Sequence, residues 1–260
     1  MQTIKQIIKR IIDPVFRPIA AKVGYVPYKS KTGPFDLFLM LLSETGYRPK
    51  HIIDIGANYG NWTKTVKTYF PQATYSLFEP LEKLIAHLQK MFEDHSKVTI
   101  YQQGVGAISE TRMFTIVERD DSCSFNIDED MAMKKGFVQV PTPIVSIDDF
   151  LNKHPNLETP DIIKIDAEGL DLEVLKGMVN RCMGQTELIF IEAAILNKEF
   201  ENNMLNVMNA MNGYGYTLLD ITDLMRPFKF KGLWLTELVF VKRDGVLIEA
   251  FYNSTIQNLN

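Results

Sequence analysis

The chain has 260 residues, with 28 basic and 32 acidic side chains, a formal net charge of −4 and an apolar fraction of 46%. That length suits one large α/β domain with an extra segment, or two small domains, and the ordinary apolar and charged content excludes a disordered or fibrous chain. The mild acidity lacks the basic footprint of a dedicated nucleic-acid binder, so no nucleic-acid partner is expected.

In chain order, Ile4, Ile7, Ile8, Ile11 and Ile12 form one apolar face of a helix that also carries Lys5, Lys9 and Arg10 and ends at Pro14. Such a stripe either packs onto the domain or a partner subunit, or lies on a membrane surface. Residues 1–24 are therefore the candidate for subunit or peripheral membrane contact. No apolar run approaches the roughly eighteen residues of a membrane span, and the start lacks a signal-peptide core, so a cytoplasmic location is expected.

From residue 51 short apolar runs alternate with helix-period segments, the pattern of βαβ units around a mainly parallel sheet. His51 to Ile55 reads as a strand, Asn61 to Phe70 as a helix stopped by Pro71, and Ala73 to Glu79 as the second strand. Leu81 to Phe92 has the spacing of an amphipathic helix and Val98 to Gln102 is a third strand. Met113 to Val117 and Phe137 to Val145 alternate like a hairpin flanking an acidic, serine-bearing loop. Ser146 and Asp149 form a capping-box-like start to a short helix. Then follow a strand at Asp161 to Asp166, a helix from Leu170 to near Gly177, and a strand at Glu187 to Glu192. A helix at Glu199 to Met211 and strands at Tyr214 to Asp220 and Leu233 to Val241 complete the series.

The most informative stretch is Asp54-Ile55-Gly56-Ala57-Asn58-Tyr59-Gly60-Asn61-Trp62-Thr63, at the end of the first strand and the start of a helix. Glycines let the backbone turn tightly and approach a ligand, and amides at a helix start can donate to it. The dinucleotide pattern G-x-G-x-x-G would need glycine where Asn58 and Asn61 stand, and no lysine follows to meet phosphates. Twenty-five residues after Asp54, Glu79 closes the second strand, where a carboxylate can accept both ribose hydroxyls. An acid, a G-x-x-x-G turn and Glu79 together point to S-adenosylmethionine.

A second cluster, Lys164-Ile165-Asp166-Ala167-Glu168-Gly169, ends the fourth predicted strand of the βαβ series. Ligands of open α/β sheets sit outside the carboxyl ends of strands, which places Asp166 and Glu168 at the reacting centre. Lys164 reads either as a buried charge neutralised by a carboxylate or as a functional group sharing a face with Asp166.

The ordered set DIGANYGNWT, the FEP triplet, S-I-D-D-F at 146–150 and IKIDAEGLDLEVLKG resembles the FkbM-type family of S-adenosylmethionine-dependent methyltransferases, over roughly residues 51–242. The resemblance implies a class I methyltransferase fold: a three-layer α/β sandwich around a mostly parallel, seven-stranded sheet whose last strand is antiparallel. It also implies O-methylation of hydroxyls on sugars or specialised metabolites, a cofactor-binding role for Asp54, Gly56, Asn58, Gly60 and Glu79, and an active-site role for Asp166 and Glu168. Ala167 and Leu170 stand where the family often has valine and alanine. The division that follows is a helical N-terminal extension over 1–50 and the methyltransferase domain over 51–260.

With no histidine near these motifs, a carboxylate is the expected base: Asp166 first, with Glu168 and Glu192 as substitutes or substrate holders. Carboxylates at one rim can alternatively bind a divalent cation that lowers the acceptor's pKa. Acceptor choice is expected from the loop at 120–126, through Ser122 and Ser124, and from the segment 226–234, through Trp234. Cys123 has no adjacent base and reads as an incidental loop thiol. The competing readings are a nicotinamide-dependent oxidoreductase and a non-catalytic cofactor-binding module that docks on a membrane or complex.

Overall fold

The computed structural model describes residues 33–119, 122–195, 201–226 and 232–257. The isoleucine stripe and the proposed contact through residues 1–24 lie outside them, as do parts of both acceptor segments, residues 120–121 and 227–231.

The chain enters through helix α1 (Pro34–Glu44) and alternates β1 (His51–Ile55), α2 (Asn61–Tyr69), β2 (Thr74–Phe78), α3 (Glu82–Met91) and β3 (Val98–Tyr101). An insertion follows, made of β4 (Gly104–Val105), β5 (Glu110–Ile116), α4 (Glu129–Lys135) and β6 (Val138–Val145). The alternation resumes with α5 (Ile147–Lys153), β7 (Ile162–Ile165), α6 (Asp171–Lys176), β8 (Leu188–Ala194) and α7 (Met204–Gly213), and ends with β9 (Tyr216–Met225), β10 (Leu235–Lys242) and α8 (Val246–Gln257).

Seven strands form one sheet in the order β3-β2-β1-β7-β8-β10-β9, with β10 antiparallel to both its neighbours. The sheet is covered on both faces, which is why its central strands are apolar without alternation. Ile53, Ile55, Ile163, Ile165, Ile189 and Ile191 enter the core beneath α5, α6 and α7. Ile52, Ile162, Leu188, Phe190 and Val239 enter the opposite core, with Phe38, Leu39 and Leu42 of α1 and Leu247 of α8. Helix α1 thus contributes to the core of the sheet domain: Phe38 lies edge-on to Phe190 and stacked on Phe251.

The insertion differs from a simple hairpin. β5 and β6 pair antiparallel as expected, but β4 adds in parallel to β6, and the connection folds into α4. Asp128 caps α4 by accepting from the Met131 N–H, and Gly136 ends it at φ +67°. Ser146 likewise caps α5 from the Asp149 N–H, and α7 starts at Met204 because Asn203 accepts from the Asn206 N–H.

β9 outruns its expected end at Asp220. Two register shifts against β10, at Glu237/Leu238 and Val239/Phe240, each insert one extra residue, Thr222 and Leu219, into β9. Among the described residues no helix is long and apolar enough to cross a membrane.

Phe150 of α5 lies edge-on to Phe78 and Tyr101, both at 4.9 Å between centroids, and is 1% exposed. Phe150→Ala should therefore lower stability by about 3–5 kcal/mol in urea unfolding, the usual cost of emptying an aromatic site in a packed core. A loss below about 1 kcal/mol would mean that the two layers do not meet there.

Candidate active site

The turn after β1 is built by close approach. Gly56 has φ +72°, and a Cβ on it would lie 1.9 Å from the Asp166 carbonyl oxygen, so no side chain fits. The N–H groups of Gly56 and Ala57 both donate to the Phe78 carbonyl, at 2.9 and 3.0 Å. Asn58, at φ +49°, donates its N–H to Glu79 Oε2 at 2.7 Å, while Leu81 donates to Oε1 at 2.8 Å. The amides of this turn are thus largely spent within the protein, and Glu79 keeps further lone pairs for a ligand. Burial raises the Glu79 carboxyl, against the two amides that stabilise its anion.

Beneath the turn, Lys164 ties three segments together. Its ammonium lies 3.3 Å from Asp54 Oδ1 and 3.2 Å from Asp166 Oδ2, and donates to the Gly56 carbonyl at 2.7 Å. Asp54 also accepts from the Thr63 hydroxyl at 2.6 Å. Burial opposes the lysine's charge, but Asp166 and then Asp54 overcome it and hold the ammonium above the ordinary lysine range. Of the two readings of Lys164, this is the buried charge neutralised by carboxylates.

Outside the carboxyl ends of β1, β2 and β7 lies a cleft with two compartments. The narrow one, about 50 Å³, runs between Phe78, Glu79, Gln103, Gly104, Phe125 and Glu168. The wide one, about 580 Å³, is bounded by Tyr59, Trp62, Glu118, Arg119, Lys164 and Glu237. Gly56, Asn58 and Asp166 line both. Two buried polar atoms on the wide side, Asn58 Oδ1 and Trp62 Nε1, have no hydrogen-bond partner among the described residues.

Residues 123–126 form a strap over the narrow compartment. The Ser124 hydroxyl donates to the Glu168 carbonyl at 3.2 Å and accepts from the Asn126 N–H, and the Asn126 amide donates to the same carbonyl at 3.4 Å. Phe125 lies flush on Gly104, where a Cβ would meet its ring at 2.7 Å. Cys123 is buried and accepts from the Val117 N–H, the environment of a structural thiol.

Further acids surround this floor. Asp171 accepts the amides of Ala167 and Gly169 and the Asn202 side chain, and burial pushes its carboxyl up to about 6. Burial, then Asp166, Asp171 and Glu168, raises Glu192 strongly. Glu237 lies directly opposite Glu192 in the sheet register and is pushed up to about 7, chiefly by burial. Among the described residues no group of three or more His, Cys, Asp or Glu side chains is placed to hold a metal ion. The cation amid these carboxylates is the Lys164 ammonium.

The expected site residues separate accordingly. Gly56, Asn58, Glu79, Asp166 and Glu168 line the cleft, whereas Asp54, Gly60 and Glu192 line neither compartment. Asp54 is fully buried under the turn, and the open side of Gly60 faces Leu88 and Phe92 of the core. These two shape the turn from below. Ser124 spends its hydroxyl on the strap, Ser122 is exposed with its N–H on the Arg119 carbonyl, and Trp234 is half-buried with backbone bonds to Met225 and Ile195. Neither Ser122 nor Trp234 lines either compartment. The sequence reading missed Gln103, Glu118, Arg119 and Glu237. For Glu237 a signal existed, a carboxylate inside the run Leu235 to Val241, whose other residues apart from Thr236 are apolar.

Two outcomes follow from these contacts. Gly56→Ala should abolish binding of any ligand in the cleft, seen by calorimetry, because the Asp166 backbone must move to admit the methyl group. Glu237→Gln should gain stability relative to the parent as pH rises through about 7. The folded carboxyl binds its proton more tightly than the unfolded one, so the parent loses stability between the unfolded and folded pKa values, while an amide loses none. Urea unfolding at pH 5 and pH 8 checks this; an unchanged difference would place the Glu237 carboxyl in water.

A family model described as the methyltransferase FkbM domain matches residues 54–218. "Methyltransferase 1" of Beauveria bassiana is 30% identical over 143 residues, which are 49% of this chain and 57% of that protein. The FkbM methyltransferase structure from Methylobacillus flagellatus superposes with a TM-score of 0.51 at 18% identity, covering 74% of this chain and 43% of that one. The chain thus spans about half the length of the relatives it matches. The matched span begins at Asp54, includes Glu79 and Asp166, and reaches β9; the chain belongs to the FkbM methyltransferase family, a family of S-adenosylmethionine-dependent enzymes.

Proposed function

We propose that the chain transfers the methyl group of S-adenosylmethionine to a hydroxyl oxygen of a sugar, a glycan or a specialised metabolite. The observation that carries this reading is the junction of the two compartments at Gly56, Asn58 and Asp166, a narrow slot beside Glu79 opening into a wide polar chamber.

The residues present fit the methyl donor. Glu79 has lone pairs for ribose hydroxyls, and the unpartnered Asn58 Oδ1 and Trp62 Nε1 supply an acceptor and a donor for an amino-acid end. Asp166 and Glu237, which line the chamber, bias it toward a cation. When bound, S-adenosylmethionine supplies an electrophilic methyl group on a cationic sulfur. The protein's own task is then to align an oxygen, exclude water and take one proton. Tyr59 and Trp62 offer ring faces to a sugar, and Glu118 and Arg119 offer polar groups to its hydroxyls. These four replace Ser122 and Trp234 in the acceptor role.

Calorimetric titration with S-adenosylmethionine, S-adenosylhomocysteine and NADH tests the donor. Incubation with methyl-labelled donor and a panel of sugar, lipid-linked and small aromatic alcohols tests the acceptor. Binding of NADH alone would reject the reading in favour of an oxidoreductase. Glu79→Gln should weaken S-adenosylhomocysteine about 10- to 100-fold, because hydrogen bonds to a charged group are worth about 1.5–3 kcal/mol.

A further inference from the structure

We propose that Glu237, on the antiparallel strand β10, is the side chain that takes the proton from the acceptor hydroxyl. The inference rests on the methyl-transfer reading and names a residue for which the motifs supply no role.

The candidates at the cleft are separated by what already holds them. Asp166 is bound to the Lys164 ammonium at 3.2 Å, an ion pair that leaving the carboxylate protonated would break. Glu192 lines neither compartment, and Glu168 borders the narrow slot, where its carbonyl anchors the strap. Two acids line only the wide chamber, Glu118 and Glu237; Glu118 is exposed to solvent, whereas Glu237 is half-buried on a strand of the sheet.

Its orientation is built into the sheet. β10 is flanked on both sides, so a carboxylate there is desolvated unless something aims it outward. The register shift at Glu237/Leu238 leaves the extra residue Thr222 beside Glu237, and the Thr222 hydroxyl donates to Oε1 at 2.5 Å, while Glu237 itself is half-buried and lines the wide chamber. The charged groups facing Glu237 are Lys164 and Asp166 from β7, Glu192 across β8 and Asp223 from β9, with Glu118 and Arg119 over the chamber. Burial, Asp166 and Asp223 raise its carboxyl, Thr222 and Lys164 lower it, and the balance near 7 suits a base working at neutral pH.

In the step, Glu237 accepts the O–H proton while the oxygen's electron pair forms the carbon–oxygen bond and the carbon–sulfur pair leaves with sulfur. The products are a methyl ether, a neutral thioether and a neutral Glu237, which returns its proton to water.

The test compares the full-length chain with Glu237→Gln, Glu237→Asp, Thr222→Val and Asp166→Asn. The first readout needs no acceptor. Affinities for S-adenosylmethionine and for S-adenosylhomocysteine, whose sulfur carries no charge, are measured by calorimetry from pH 5.5 to 8.5. Ionised Glu237 favours the cation, so the preference for S-adenosylmethionine should rise several-fold across about pH 7 in the parent and lose that rise in Glu237→Gln. The second readout is turnover on whichever panel alcohol is methylated. Glu237→Gln should lose at least about 100-fold in kcat, the usual contribution of a general base, with S-adenosylhomocysteine affinity within a few-fold. Glu237→Asp should retain part of the activity, Thr222→Val should move the acidic limb of the kcat/KM profile upward, and Asp166→Asn, which removes a neighbour that raises the Glu237 carboxyl, should move that limb downward without abolishing it. The proposal is overturned if the pH-dependent preference is unchanged in Glu237→Gln, or if that variant keeps both turnover and the acidic limb. Failure of the parent to bind either sulfur compound would instead reject the methyl-transfer reading.

Discussion

The geometry of the cleft depends on one buried ammonium. Lys164 reaches from β7 to Asp54 on β1, to Asp166 at its own strand's end and to the carbonyl of Gly56. Burying such charges costs several kcal/mol per ion before their attraction returns it, so the cluster is poor evidence of net stability. What it fixes is position. With the Gly56 carbonyl held inward, the turn must climb through Asn58 in a left-handed conformation, and that conformation directs the Asn58 N–H to Glu79. The two strands and the loop between them therefore share a single arrangement.

Around that ammonium the charge is unbalanced toward acid. Asp171, Glu192 and Glu237 are all raised by burial first, and the charged neighbour that raises all three is Asp166. The opposite end of the sheet is different: Asp161 accepts the backbone N–H groups of Lys50 and His51, and the His51 ring bridges Ser76 and the Glu158 carbonyl. One end of the sheet is closed by satisfied hydrogen bonds, while the other holds carboxyl groups under electrostatic strain. Perturbed acids gathered in a cleft are a mark of chemistry rather than of scaffold.

Much of this was legible in the residues. β1, β7 and β8 appear as runs dense in isoleucine, leucine and phenylalanine, interrupted by His51, Asp54, Lys164 and Glu192, because both their faces are covered, and the glycine turn with Glu79 follows from spacing alone. Other features depend on neighbours distant in sequence. Nothing local to Asp54 or Gly60 says that they face the core rather than the ligand, since that is decided by Thr63, Lys164 and Leu88. The helix within the insertion is only seven residues long between Asp128 and Gly136, a weak signal in a segment whose flanks alternate like strands. Glu237 gains meaning only once Thr222, Lys164 and Glu192 are placed beside it.

The paired bulges of β9 have a consequence for how the chain can vary. Side chains alternate between faces with a period of two, so one inserted residue exchanges inside and outside for everything beyond it. The second insertion restores the parity. Tyr216, at one end of β9, remains in the core although two residues of β9 have no partner on β10. Between Leu219 and Thr222 the alternation is displaced by one step, and that short window is where Glu237 meets its hydroxyl donor. Length changes in this strand are consequently tolerated in pairs: removing Thr222 or Leu219 alone would turn the remaining strand inside out, whereas removing both would give a regular strand without the donor.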